Sequence, residues 1–357
     1  MDLKKRLDLV KQVGEEIVTE KELEELLNSK KKIIAYDGFE PSGNIHIAQG
    51  LLKAINIRKF LDAGISFKML VADWHAWLNN KMGGDMAKIK KTGDYFVEVW
   101  KSCGLDTDKI SFVWADDMVK NKDYWERVLS IARCSTIKRT LRCSQIMGRS
   151  ESMDLSTAQM FYPCMQAADI FYLNADIAQL GMDQRKVNML AREVAPKLGL
   201  KPPIAVHHHM LAGLLPPKKE GENISAIDKK INQKMSKSNP MSAVFMTDDE
   251  NAIRKKIAKA YCPLKQVDDN PILEYLKYII FEKEKTFRIE RPQKYGGLLE
   301  FENYESVEKD YLEGNLHPAD LKQGVADSLN KLLEPTRKYF EQNTKAKKLK
   351  EEVTKNM

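Results

Sequence analysis

Ile33-Ile34-Ala35-Tyr36-Asp37-Gly38-Phe39-Glu40-Pro41-Ser42-Gly43-Asn44-Ile45-His46-Ile47-Ala48-Gln49 is the stretch on which the reading of this chain turns. A short apolar run passes into a turn rich in Asp, Gly, Pro and Ser. Apolar residues then recur at helical spacing, at Ile47, Leu51, Ala54 and Leu61. A run of this length bounded by turn residues is a buried strand, and the stripe is one face of a helix.

The alternation continues outward. Phe67 to Ala72 reads as a second strand, Ala87 to Cys103 as a helix and Ile110 to Trp114 as a third strand. Ala175 to Gln179 and Ile204 to Val206 follow, separated by the helical stretch Gln184 to Leu198. Strands alternating with helices of this length predict an α/β fold, a Rossmann-like parallel sheet with helices on both faces. The segment from about 122 to 172 is helical throughout, as an insertion between two sheet halves would be.

Toward the amino end, Thr19 and Glu22 form a capping box ahead of Leu23, Leu26 and Leu27, which predicts N-terminal helices. From Leu215 to Gln233 the chain turns polar, and beyond Asp249 the pattern is helical with almost no strand signal. Three parts are therefore expected: the α/β domain over 1–228, a loop and linker over 229–260, and an all-helical domain over 261–357.

With 58 Lys and Arg against 51 Asp and Glu, the 357-residue chain carries a net charge of +7, which favours a polyanionic partner. No apolar run reaches the ~18 residues of a membrane span, and Met1 to Gly14 lacks a signal-peptide profile. A soluble cytoplasmic protein is expected, with no membrane partner. The five cysteines, Cys103, Cys134, Cys143, Cys164 and Cys262, form neither a zinc knuckle nor a CxxC pair, so free thiols are expected.

Two motifs carry chemistry. The Pro41-to-Gln49 turn lies where a helix start in a parallel sheet faces an anion, and small residues there let backbone N–H groups approach phosphate. Lys234-Met235-Ser236-Lys237-Ser238 closes the polar loop, and its two lysines suit a clamp over a polyphosphate. A third pattern is a polar stripe: Tyr162, Gln166 and Asp169 fall at i, i+4 and i+7 among Phe161, Met165, Ala168 and Phe171. A phenol, an amide and a carboxylate lined up on a buried helix need either a polar ligand or an internal network. Tyr36 at one strand and Gln184 after another would face the same place.

His46-Ile47-Ala48-Gln49 resembles the HIGH signature, and Lys234 to Ser238 the KMSKS signature, of class I aminoacyl-tRNA synthetases. The chain is similar to tyrosyl-tRNA synthetases of the archaeal and eukaryotic type from about Ile33 to Glu341. Tyr36-Asp-Gly-Phe-Glu-Pro-Ser-Gly, Ala72-Asp-Trp-His-Ala, Tyr162-Pro-Cys-Met-Gln, Gly181-Met-Asp-Gln-Arg-Lys and His317-Pro-Ala-Asp also carry the likeness. The resemblance implies a ligase that activates L-tyrosine with ATP and Mg²⁺, then transfers it to the 3′ end of tRNA(Tyr).

It further implies that Tyr36 and Asp169 bind the substrate phenol, while Tyr162, Gln166 and Gln184 hold its ammonium and carboxylate. Gly38, Ser42, His46, Asp183, Lys234 and Lys237 would bind ATP, with His46, Gln49, Lys234 and Lys237 as catalytic positions. Gln49 and Ala48 depart from the signature, which usually has His and Gly there. Arg142, Arg185 and Lys186 would approach the tRNA acceptor end; Tyr295, His317 and Asp320 would read the anticodon from the helical domain. The family is homodimeric, with the insertion carrying the interface.

Phenylalanine in such a pocket would leave buried polar groups unpaired, so the pocket itself can reject it. Two alternatives stand beside this reading: a tryptophanyl-tRNA synthetase, and a tRNA-binding paralogue that has lost catalysis, which only Gln49 supports. His207-His208-His209 is expected to form a loop lining the nucleotide pocket rather than a metal site, since adjacent histidines cannot converge on one ion.

Overall fold

The computed structural model describes residues 2–29, 32–147, 154–217, 235 and 239–355. The chain divides into two compact units, one of Met1–Ser42, Asn56–Asp94 and Asp106–Met210, the other of Gly43–Ile55, Tyr95–Leu105 and Leu211–Met357. Among the described residues no helix is long and apolar enough to cross a membrane.

In chain order through residue 208 the elements are α1 (Leu3–Lys11), β1 (Gly14–Val18), α2 (Glu20–Asn28), β2 (Ile34–Phe39), α3 (Lys53–Asp62), β3 (Ser66–Val71), α4 (Asp73–Leu78) and α5 (Met86–Ser102). They continue with β4 (Ile110–Trp114), α6 (Ala115–Met118), α7 (Lys122–Arg133), α8 (Ile137–Cys143), α9 (Thr157–Tyr172), β5 (Ile177–Gly181), α10 (Arg185–Val194) and β6 (Ile204–His208).

The first unit is built on a six-stranded sheet in the order β1-β6-β5-β2-β3-β4. β2 to β6 run parallel, as the alternation of strands and helices predicts. From β2 the chain lays down β3 and β4 on one side, then returns to place β5 and β6 on the other. That reversal makes β2 and β5 the switch point, where ligands of open α/β sheets gather beyond the carboxyl ends of the strands. All five β5 residues are buried, which is why its sequence shows no polar alternation.

The expected N-terminal helices α1 and α2 are present, and the Thr19–Glu22 capping box forms, but β1 lies between them. It pairs antiparallel with β6. Gly-Glu-Glu-Ile-Val offers little strand signal, because this edge strand carries an exposed Glu15 and a half-buried Glu16 where a buried strand would be apolar. Most of the described insertion is helical, in α7, α8 and α9, with breaks before α8 and α9, and 148–153 lie outside the described residues. It is no appendage, since Tyr124, Val128 and Ile131 of α7 share one apolar core with Tyr36, Leu70 and Ile170.

In the second unit the expected helices appear at Glu250–Lys259, Pro271–Tyr275, Tyr304–Glu313, Pro318–Gln342 and Thr344–Lys355. The all-helical expectation misses a short ribbon, β7 (Phe287–Ile289) paired antiparallel with β8 (Leu299–Phe301). Three residues per strand are too few to show a period of two. Gly296 and Gly297 in the connection take φ of 95° and 67°, a backbone that side chains disfavour.

Ile131→Ala removes a fully buried side chain from the core that α7 shares with the sheet. It is expected to cost about 2–5 kcal/mol, read as a lowered denaturant midpoint.

Candidate active site

α9 starts where Ser156 accepts from the Gln159 N–H and Gln159 reaches back to the Ser156 N–H. Its interior is apolar nearly all round, so the helix buries itself and carries Tyr162, Gln166 and Asp169 inward with it. Asp169 is completely buried. A bare carboxylate in that position costs several kcal/mol, so its neighbours decide whether it is tolerated.

Those neighbours come from three elements. The Tyr124 hydroxyl of α7 donates to Asp169 Oδ1 at 2.8 Å. His75 of α4 places Nε2 3.0 Å from Asp169 Oδ2, within ion-pair reach, yet neither atom has a hydrogen bond of good geometry. Tyr36 of β2 feels the same carboxylate: burial, then the charges of Asp169 and Asp37, push its phenol well above the ordinary value. The Tyr124 phenol rises through burial and then through Asp169. Both phenols therefore stay protonated and remain donors at neutral pH. Burial lowers the His75 imidazole, but the Asp169 carboxylate outweighs it and the net direction is up.

The other half of the cluster is equally polar. The Tyr162 hydroxyl donates to Glu40 Oε1 at 2.8 Å, and the Asn79 amide reaches the same carboxylate at 2.9 Å. The Tyr162 ring meets the His75 ring edge-on at 5.0 Å. Gln166 Nε2 donates to Gln184 Oε1 at 3.0 Å, and Gln184 in turn donates to the Ile146 carbonyl. Thus Tyr36, Tyr162, Gln166, Asp169 and Gln184 do gather, at the β2/β5 switch point. Glu40, His75 and Tyr124 join them without having been singled out. Glu40 and His75 stand inside quoted motifs, but nothing in the sequence signals Tyr124 before α7 is packed on α9.

Gly38 lies on β2, where a Cβ would come 3.2 Å from the Tyr36 hydroxyl. Ser42 turns back onto the Glu40 carbonyl. At the end of β5, a Cβ on Gly181 would stand 2.6 Å from Asp183 Oδ1, so a larger residue there would have to displace that carboxylate. The buried Cys164 thiol of α9, pushed up to about 11 by burial, stays protonated.

Arg142 is exposed on α8. Its neighbour Arg139 is tied to Glu193 by two bonds of 2.9 Å. Arg185 opens α10 with Nε held by both oxygens of Glu16, at 3.0 and 2.8 Å, and the adjacent Lys186 gives its carbonyl to Arg139. The three histidines do not form a loop, because His207 and His208 end β6. Strand alternation separates them, His207 meeting Glu16 and Asn188, and His208 meeting Gln179.

His46, Gln49, Tyr295, His317 and Asp320 belong to the second unit. His46 lies at the helix start, its carbonyl accepting from the Gln49 and Gly50 N–H groups at 2.9 Å each. It sits in a short antiparallel bridge with Phe245, flanked by Ile47 N–H to Val244 O and Met246 N–H to Ile45 O, both 2.9 Å. The helical turn begins at Ala48. Tyr295 is largely exposed, with Lys294 Nζ 4.8 Å over its ring. His317 caps the helix Pro318–Gln342, accepting from the Ala319 N–H, and Asp320 Oδ2 lies 3.5 Å from Arg291. Lys234 and Lys237 lie outside the described residues.

Residues 28–334 match the family described as tRNA synthetases class I (W and Y). The chain belongs to this family. A relative from Arabidopsis thaliana named tyrosine–tRNA ligase 1, cytoplasmic, is 49% identical over 99% of this chain and 89% of its own length. A tyrosine–tRNA ligase of Saccharolobus islandicus is 43% identical over 100% of this chain and 99% of its own. The solved tyrosyl-tRNA synthetase of Pyrococcus horikoshii, complexed with L-tyrosine, superposes with a TM-score of 0.90 at 39% identity, covering 99% of this chain and all of that one.

Tyr124→Phe keeps the ring but strips the donor from Asp169 Oδ1. It is expected to destabilise the protein by about 1–3 kcal/mol, measured by thermal or denaturant unfolding.

Proposed function

We propose that the chain is a tyrosine–tRNA ligase, forming tyrosyl-adenylate and pyrophosphate from L-tyrosine and ATP and then esterifying the 3′ end of tRNA(Tyr). The observation that carries this is the buried Asp169 carboxylate, one oxygen engaged by Tyr124 and the other lacking a well-formed hydrogen bond, beside the protonated Tyr36 phenol. A substrate hydroxyl donating to Asp169 and accepting from Tyr36 completes that set. The tyrosine-bound relative supports the same reading. Tryptophan brings no hydroxyl to Asp169.

Tyr162, Gln166 and Gln184, with Glu40 behind them, would hold the ammonium and carboxylate of the amino acid. The tyrosine carboxylate attacks the α-phosphorus in line and pyrophosphate leaves, so the protein's task is positioning and charge neutralisation. Gly38, Ser42, His46, Gln49, Asp183, Lys234 and Lys237 are the proposed ATP contacts, and His46, Lys234 and Lys237 meet the charge that develops on the phosphates. Among the described residues no group of three or more His, Cys, Asp or Glu is arranged for a metal. Mg²⁺ is proposed to enter with the nucleotide substrate.

Arg142, Arg185 and Lys186 are proposed for the acceptor end, and Tyr295, His317 and Asp320 for the anticodon, where an exposed aromatic beside polar side chains suits splayed bases. The 261–357 segment is the proposed anticodon-binding domain. A cytoplasmic location follows the Arabidopsis relative's name. For a homodimer, support comes from apolar side chains left in water on the insertion: Ile137 is 74% exposed and Leu129 51%.

Aminoacylation with tyrosine, ATP and tRNA(Tyr) tests the whole reading: charging with tyrosine is expected, and exchange of pyrophosphate stimulated only by tryptophan contradicts it. Asp169→Asn is expected to raise the KM for tyrosine well above any change in the KM for ATP; equal losses contradict the role given to Asp169. Ile137→Asp is expected to shift the protein from dimer to monomer in light scattering, and an unchanged mass excludes this surface as the interface.

A further inference from the structure

β1 does more than close a sheet edge. Its pairing with β6 slips between Gly14 and Glu16, a bulge that sets Glu15 and Glu16 opposite a single stretch of β6. Glu16 then reaches two elements at once. Its carboxylate takes Arg185 Nε on both oxygens, at 3.0 and 2.8 Å, and His207 Nδ1 on Oε2 at 2.8 Å. His207 is completely buried, and its Nε2 stands 3.0 Å from the Asn188 amide of α10. Burial keeps the imidazole below its usual range. It is therefore neutral, donating from Nδ1 to Glu16 and accepting from Asn188 at Nε2.

The result is a relay, Arg185–Glu16–His207–Asn188, that fixes one guanidinium at the first turn of α10. The fixing is one-sided. Among the described residues only Nε donates to the protein, so the fork formed by Nη1 and Nη2 keeps its donors for another acceptor. A planar fork held at its root is preorganised for phosphate or a base edge, because little rotamer freedom is left to lose on binding. Arg185 directly follows Asp183 and Gln184, proposed for ATP and for tyrosine.

We infer that Glu16 is a positioning residue for the tRNA step, holding the Arg185 guanidinium so that its free edge meets the acceptor end of tRNA. This rests on the reading of the chain as a tyrosine–tRNA ligase and of Arg185 as an acceptor-end contact. Glu16 touches neither amino acid nor nucleotide in that reading, so its loss should spare the first half-reaction.

The test is to measure tyrosine-dependent ATP–pyrophosphate exchange and tRNA charging for the full-length wild type, Glu16→Gln, Arg185→Ala and the double variant. Glu16→Gln keeps the size of the side chain and an acceptor for His207 but removes the charge. The expected result is unchanged exchange with kcat/KM for tRNA lowered about tenfold through KM, the size of a lost charge-assisted bond. The double variant is expected to charge tRNA no worse than Arg185→Ala alone, because Glu16 acts through Arg185.

Exchange and charging falling together in Glu16→Gln would show a merely structural role and overturn the inference, as would additive losses in the double variant. The underlying readings fail differently. Wild type without tyrosine-dependent exchange removes the ligase assignment, and Arg185→Ala with full charging removes the acceptor-end contact.

Discussion

The fully buried carboxylate of Asp169 is the constraint around which the first unit is organised. A carboxylate in that position needs polar surroundings, and the fold brings them from distant parts of the chain: Tyr124 of the insertion donates to Oδ1, His75 of the helix after β3 stands 3.0 Å from Oδ2, and the Tyr36 phenol of β2 feels its charge. All three side chains are themselves buried. The insertion is thereby bound to the sheet through chemistry as well as through packing. α7 shares its apolar core with the strands and directs its one deep hydroxyl to Asp169. Asp169 Oδ2 and the His75 ring lack well-formed hydrogen bonds, which is the opening that the proposed reading gives to a substrate hydroxyl.

Much of this was legible in the sequence, and the reasons are local. β2 to β6 are short apolar runs closed by turn residues, and buried parallel strands leave that trace whatever the rest of the chain does. The stripe Tyr162, Gln166, Asp169 was visible because three polar groups at helical spacing stand out in an apolar helix. What escaped is what depends on partners far away in sequence. β1 is a strand only because β6 supplies its other half, and its charged residues belong to contacts with His207, His209 and Arg185. β7 and β8 are too short for any periodicity. Tyr124 reads as one more aromatic on an amphipathic helix until α7 packs on α9. His46 starts a helix, as its place in the motif suggests, but its backbone bridge to Phe245, far away in sequence, leaves no local trace.

The positive charge of the chain is also more structured than its total suggests. Several of the arginines near the site are committed: Arg139 to Glu193, Arg192 to Glu22, and Arg185 by one edge to Glu16. Such commitments cost affinity for anions in general but fix direction, which is what recognition of one end of a nucleic acid needs more than bulk attraction. Gly181, Asp183, Gln184, Arg185 and Asn188 follow one another within eight residues, so one turn of chain after β5 serves the amino acid, the nucleotide and the acceptor end in the proposed reading.

The central claim is that the Asp169 carboxylate and the Tyr36 phenol together select a hydroxylated ring. Titration calorimetry of the wild-type protein with L-tyrosine and with L-phenylalanine reads that claim without any mutation. The account predicts saturable binding of tyrosine and no detectable binding of phenylalanine at the concentration where tyrosine saturates. Comparable affinities for the two amino acids would contradict it.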